Sequence, residues 1–91
     1  MGRAQRERPK YLAKKLKAIR RELGYSQSEM LQVVEPRLDK NYRSYISEYE
    51  SGEREPSLLA LLRYAKCVGV TIDTLVDDKV KLPENLIRKS N

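Results

Sequence analysis

Nine of the first 21 residues carry guanidinium or ammonium groups: Arg3, Arg6, Arg8, Lys10, Lys14, Lys15, Lys17, Arg20 and Arg21. Glu7 is the only acid among them, which leaves a local excess of +8. The whole chain carries +6, so residues 22–91 sum to −2. The chemistry on offer is therefore phosphate or carboxylate binding rather than bond making. A cationic end on a near-neutral body suits a polyanion, either nucleic acid or an anionic membrane surface, and the plain alternative is a solubilising tail. The chain has no His and one Cys, Cys67, so the usual four-ligand zinc site is not available and no intramolecular disulfide can form. It has neither a Gly-rich phosphate loop nor a nucleophile elbow, and the sequence argues against an enzyme. No metal or cofactor is expected.

These side chains need elements to hold them, and a chain of 91 residues has room for one small domain. Residues 1–10 read as a basic flexible arm. Leu12, Leu16, Ile19 and Leu23 are spaced 4, 3 and 4 apart, one face of an amphipathic helix, with Lys14, Lys15, Lys17 and Arg21 off that face. Gly24 stands where a left-handed cap closes such a helix. Ser26-Gln27-Ser28-Glu29 matches a capping box, with Tyr25 and Met30 placed as a hydrophobic staple. The second helix is predicted from Gln27 to about Val34, stopped by Pro36. Residues 35–40 form a polar connector. Asn41 is the expected N-cap of a third helix over Tyr42 to Glu50 that ends at Gly52.

Ser57 is the expected N-cap of a fourth helix with the apolar stripe Leu58, Leu61, Leu62, Ala65 and Val68, closed by Gly69. Thr71 would cap a short fifth helix carrying Ile72, Leu75 and Val76. Residues 79–91 form a short tail in which Val80-Lys81-Leu82 alternates like a strand. Cys67, within the fourth helix, reads as a small buried hydrophobe. No apolar run of signal-peptide or membrane-span length occurs, and with a single Cys the expected location is cytoplasmic.

Leu23-Gly24-Tyr25-Ser26-Gln27-Ser28-Glu29-Met30, followed by Tyr45-Ile46-Ser47-Glu48-Tyr49-Glu50-Ser51-Gly52-Glu53-Arg54-Glu55-Pro56-Ser57, resembles the helix-turn-helix domain of the phage repressor and Cro type, the Xre family. The resemblance covers roughly Leu12 to Val76. It implies an all-α, five-helix, lambda-repressor-like domain over residues 11–78. It places Arg20 and Glu50 where the family pairs an Arg late in helix 1 with a Glu ending helix 3. It places Gln27 where a Gln donates to a backbone phosphate, with Ser26 beside it. The second helix of such a motif lies in the major groove with its N-terminal residues on base edges. That puts Tyr42, Arg43, Ser44, Ser47 and Glu48 toward DNA, with Arg43 the best guanine reader. Arg54 would take a phosphate contact despite its acidic neighbours Glu53 and Glu55. Arg37 and Lys40 in the connector could do the same.

Arg3, Arg6, Arg8 and Lys10 would follow the minor groove or the backbone. The family's dimers imply a homodimer contact at Ile72, Leu75 and Val76, extended by Val80 and Leu82. The implied function is a sequence-specific double-stranded DNA-binding transcriptional regulator, a repressor on a palindromic operator. The rival reading is a protein-interaction module of the same fold, such as an antitoxin or co-regulator binding a separate protein partner. Neither reading involves a membrane or a metal.

Overall fold

A computed structural model gives the fold and describes residues 7–84 and 86. Five α-helices follow one another: α1 (Leu12–Leu23), α2 (Gln27–Val34), α3 (Ser44–Ser51), α4 (Leu58–Val68) and α5 (Ile72–Val76). A single 3-10 turn (Lys40–Tyr42) precedes α3. The described residues contain no strand, so the alternating Val80-Lys81-Leu82 does not pair. The domain is all-α, as the periodicity predicts.

Local side-chain chemistry sets most boundaries. The Ser26 hydroxyl accepts from the Glu29 amide at 3.0 Å, and the Glu29 carboxylate accepts from the Ser26 amide at 2.8 Å, completing the capping box. Of the expected staple, Met30 is fully buried while Tyr25 stays at the surface. The Ser57 hydroxyl caps α4 by accepting from the Ala60 amide at 3.1 Å. Gly24, Gly52 and Gly69 close α1, α3 and α4 in the left-handed conformation, as their positions predict.

The link between α2 and α3 differs from the expectation. Helix α3 begins at Ser44 with Arg43 at its N-cap, not at Tyr42 behind Asn41. The cap belongs to Asp39 instead, whose carboxylate accepts from the Asn41 amide at 2.8 Å and starts the 3-10 turn. Residues 35–43 therefore separate the two helices, where such motifs usually use 3–4 residues. Leu38 tucks its side chain against the core and shortens the exposed part of this loop.

Helix α1 packs on α3, α4 and α5, and α2 packs on α3 and α4, around one core. Leu16, Ile19, Met30, Leu31, Val34, Ile46, Tyr64, Val68 and Leu75 are essentially inaccessible to solvent. Tyr64 is the largest of these and was not in the predicted stripe of α4. Its hydroxyl has no hydrogen-bond partner among the described residues. Burial pushes its phenol pKa far above the usual range, which keeps the group neutral. Leu58, expected in the stripe, is 69% exposed, and the first turn of α4 buries Ala60 and Leu61 instead. Cys67 is half-buried and free, and burial pushes its thiol pKa up.

Lys15 also departs from the helical-wheel reading. It is 7% exposed, and its Nζ donates to the carbonyls of Thr74 at 2.8 Å, Asp77 at 3.0 Å and Val80 at 2.7 Å. These carbonyls belong to the last turn of α5 and the chain just after it, where helical carbonyls lack intrahelical partners and a cation is favoured. Asp78 reciprocates by accepting from the amides of Lys10 and Tyr11 at 2.9–3.2 Å, at the start of α1. The two ends of the domain thus cap one another, and residues 7–10 are anchored at their root.

The amide bonds from Lys10 and Tyr11, with Lys15 nearby, hold the Asp78 carboxyl below its usual pKa. A depressed carboxyl pKa adds stability above the unfolded-state pKa, and this stability is lost as pH falls through the folded one. Asp78→Asn should therefore flatten the acid limb of the stability curve below about pH 4, where an ordinary Asp titrates. Thermal melts of both proteins between neutral pH and that window check this, and parallel acid limbs would refute it.

Candidate nucleic-acid interface

Helix α3 presents two unlike faces. Ile46 and Tyr49 point into the core, whereas Ser44, Ser47, Glu48 and Ser51, at i, i+3, i+4 and i+7, form the outward stripe. Arg43 at the N-cap and Tyr42 in the preceding turn are exposed beside it. The structure thus gathers four of the five expected base-reading residues at the N-terminal half of α3 and its approach, with Glu48 one turn further along the same stripe. Four are open to solvent, and Glu48 is half-buried.

Helix α3 is held in place through Glu50. Arg20 Nε donates to Glu50 Oε2 at 2.6 Å and Arg20 Nη2 to Oε1 at 3.1 Å, a forked pair across α1 and α3. Side-chain exposures of 15% and 5% leave the two charges little solvent to lean on. The bond to Glu50 raises the Arg20 pKa further, so the guanidinium stays charged. Its Nη1 donates to the Tyr25 carbonyl at 2.8 Å, which ties in the turn before α2. Gln27, the first residue of α2, donates from Nε2 to Glu50 Oε1 at 3.4 Å. The start of α2 and the end of α3 therefore meet on one carboxylate. The Ser26 hydroxyl is engaged in its cap, but the free amides of the first turn of α2 point out of the helix, where an anion is favoured.

The far end of α3 carries the second cluster. Gly52 adopts φ 86°, a left-handed conformation that other residues rarely take, and turns the chain back on itself. Arg54 then donates its amide to the Glu48 carbonyl at 3.2 Å. Its Nε donates to Glu48 Oε1 at 2.6 Å, and its guanidinium lies 3.9 Å over the Tyr45 ring. Tyr45 meets Tyr42 edge-on at 5.5 Å and Tyr49 at 6.4 Å. The Tyr49 hydroxyl donates to Glu35, and burial together with that bond raises its pKa beyond the ordinary tyrosine range. The three tyrosines form a connected strip from the core to the surface. The pairing of Glu48 with Arg54, six residues apart across a glycine turn, has no signature in the sequence.

The remaining expected contacts fall into three groups. Arg37 and Lys40 are exposed in the connector. Arg8 donates from Nη1 to the Gly52 carbonyl at 3.4 Å, placing the described part of the arm beside the end of α3, and Lys10 is exposed next to it. Arg3 and Arg6 lie outside the described residues. In α5, Leu75 is fully buried within the chain and has no surface to offer a second copy. Of the three residues expected at a dimer contact, only Ile72 and Val76 keep partial exposure.

A short helix with a polar outward stripe, braced by a forked ion pair and packed against a preceding capped helix, has the arrangement of a helix-turn-helix. Residues 43–75 match the model of a helix-turn-helix family, from the N-cap of α3 into α5. The match supports membership of the Xre-like, Cro and phage-repressor family, a DNA-binding regulatory family rather than an enzyme family. A search of curated proteins gave no match. No helix among the described residues is long and apolar enough to cross a membrane.

Proposed function

We propose that the protein is a sequence-specific double-stranded DNA-binding regulator of transcription that acts as a repressor in the cytoplasm. It reads the major groove with the N-terminal half of α3 and binds a palindromic operator as a homodimer. The observation that carries this reading is the outward stripe on α3. With α3 in the major groove, Arg43, Ser44, Ser47 and Glu48 would meet base edges and Gln27, Arg54 and Arg8 would serve the flanking phosphates; the exposure of Arg43, Ser44 and Ser47 supports this reading. Arg37 and Lys40 lie at the connector end of the same helix and extend the cationic rim. The Nη groups of Arg54 make no hydrogen bond among the described residues and are its donors left for a phosphate. Ile72 and Val76 are the residues proposed for the dimer contact. Two subunits of this kind would span half-sites about 34–36 Å apart.

Selection from a random duplex library, with affinity followed across salt, tests the reading. A palindromic consensus with half-sites about 10 base pairs apart is the expected result. Arg43→Ala should then relax one position of the consensus at a cost of about 1–3 kcal/mol. Removing residues 1–9 should weaken binding and flatten the dependence of log affinity on log salt, because fewer counterions are released. A protein-interaction role is the second reading, favoured by the acid that Glu48 places on the outward stripe of α3. It gains if no sequence is enriched and binding vanishes at moderate salt.

A further inference from the structure

The Glu48–Arg54 pair sits at the edge of the reading face and raises a specific question, because a carboxylate facing a polyanion is costly unless something compensates it. Three contacts fix Arg54 against Glu48: the backbone bond at 3.2 Å, the Nε–Oε1 bond at 2.6 Å and the stack on Tyr45 at 3.9 Å. The Glu48 carbonyl also accepts from the Ser51 hydroxyl at 3.2 Å, so the turn after α3 is bonded down onto this residue. Glu48 Oε1 is occupied by Arg54, and the described residues give Oε2 no hydrogen bond. The result is a half-exposed carboxylate, charge-compensated on one oxygen and offering the other.

We infer that Arg54 is a positioning residue that orients Glu48, and that Glu48 held in this way selects cytosine at one position of the operator. The inference rests on the proposed DNA-reading role of α3. The selectivity follows from the groove-edge chemistry of the bases. Cytosine presents only the N4 amino donor, which a carboxylate accepts. Adenine sets an N7 acceptor beside its N6 amino group and repels the incoming oxygen. Guanine and thymine present acceptors where the carboxylate would lie. Tyr45, stacked beneath the guanidinium, keeps it from swinging out to solvent and leaving Glu48 uncompensated.

The test is competition binding with wild-type, Glu48→Ala, Arg54→Ala and Arg54→Lys proteins and the Glu48→Ala/Arg54→Ala double variant, on the duplex selected by wild type and on its single-base variants. Thermal melts confirm that each protein is folded. Glu48→Ala should erase discrimination at one base pair by roughly five- to a hundredfold. Arg54→Ala should erase it at that same base pair, and the double variant should lose no more there than Glu48→Ala alone. Arg54→Lys keeps the charge but not the stack or the planar fork, so it should lose the cytosine preference with a smaller drop in overall affinity than Arg54→Ala. If Arg54→Ala weakens binding equally on all duplexes and leaves the cytosine preference intact, Arg54 serves the phosphate alone, Glu48 does not need it for orientation, and the inference fails while the proposed function stands. A wild-type protein that selects no sequence removes both the proposed function and this inference.

Discussion

Glu50→Gln should lower stability by about 3 kcal/mol, because it leaves a partly buried guanidinium without its counter-charge. For a domain of this size the melting temperature should fall by roughly 12–24 °C. The substitution keeps the size of the side chain, so packing around Ile46 and Tyr49 is conserved and the loss reports on charge. Arg20 would keep its bond to the Tyr25 carbonyl and one acceptor on the new amide, which is why the figure lies at the lower end for a broken buried pair. Arg20→Met alone should also destabilise, since it leaves Glu50 buried against the single weak donor Gln27. A double-mutant cycle separates the pair's coupling from the desolvation of each partner. DNA affinity should fall together with stability in the Glu50 variant, because the same carboxylate aligns α2 with α3. An unchanged melting temperature would mean that the forked pair contributes nothing in solution.

Lys15→Met has the second-largest expected effect, a loss of about 2–4 kcal/mol, at about 1 kcal/mol or more for each buried acceptor left unpaired. Methionine preserves the unbranched stem, so the change isolates the ammonium group. The Thr74 and Val80 carbonyls would then lose their Lys15 donor, while the Asp77 carbonyl keeps the Val80 amide at 3.0 Å. The damage should be local as well as global, with amide hydrogen exchange in α5 and residues 77–80 accelerating more than exchange in α2. Arginine is not expected to rescue, since its planar fork does not fit a site shaped for one nitrogen. If Lys15→Met melts like wild type and exchanges like it, the ammonium is solvated and the capping role is lost.

What the sequence discloses and what it conceals divide by distance along the chain. The capping box at Ser26 and Glu29, the cap at Ser57 and the left-handed glycines depend on side chains a few residues from the backbone groups they serve, so each is legible where it stands. Lys15 is not, because its partners lie 59 to 65 residues away and a helical wheel shows only that it flanks the apolar stripe. Leu58 misleads for the opposite reason: it keeps the period of the stripe, but its own turn buries Ala60 and Leu61 and leaves it at the surface. Asp39 and Asn41 are both sound caps, and only the fold of the connector decides between them. The outward residues of α3 could be named from the resemblance to a known motif. The clustering of Arg54, Glu48 and Tyr45 emerges only once Gly52 has turned the chain.

The mutual capping of α1 and α5 also bears on the topology of the chain. Lys10 and Asp78 are 68 residues apart in sequence and in hydrogen-bond contact in space. Each doubling of a loop costs only about 0.6 kcal/mol of closure entropy, so two short polar contacts suffice to hold so long a circuit shut. A peptide link across that corner would replace the hydrogen bonds with covalent ones and leave every helix in place. The connector between α2 and α3, exposed at Pro36 and Arg37, then becomes the natural point at which to open the ring. The domain is in this sense already a circle whose seam is drawn by one aspartate and one lysine.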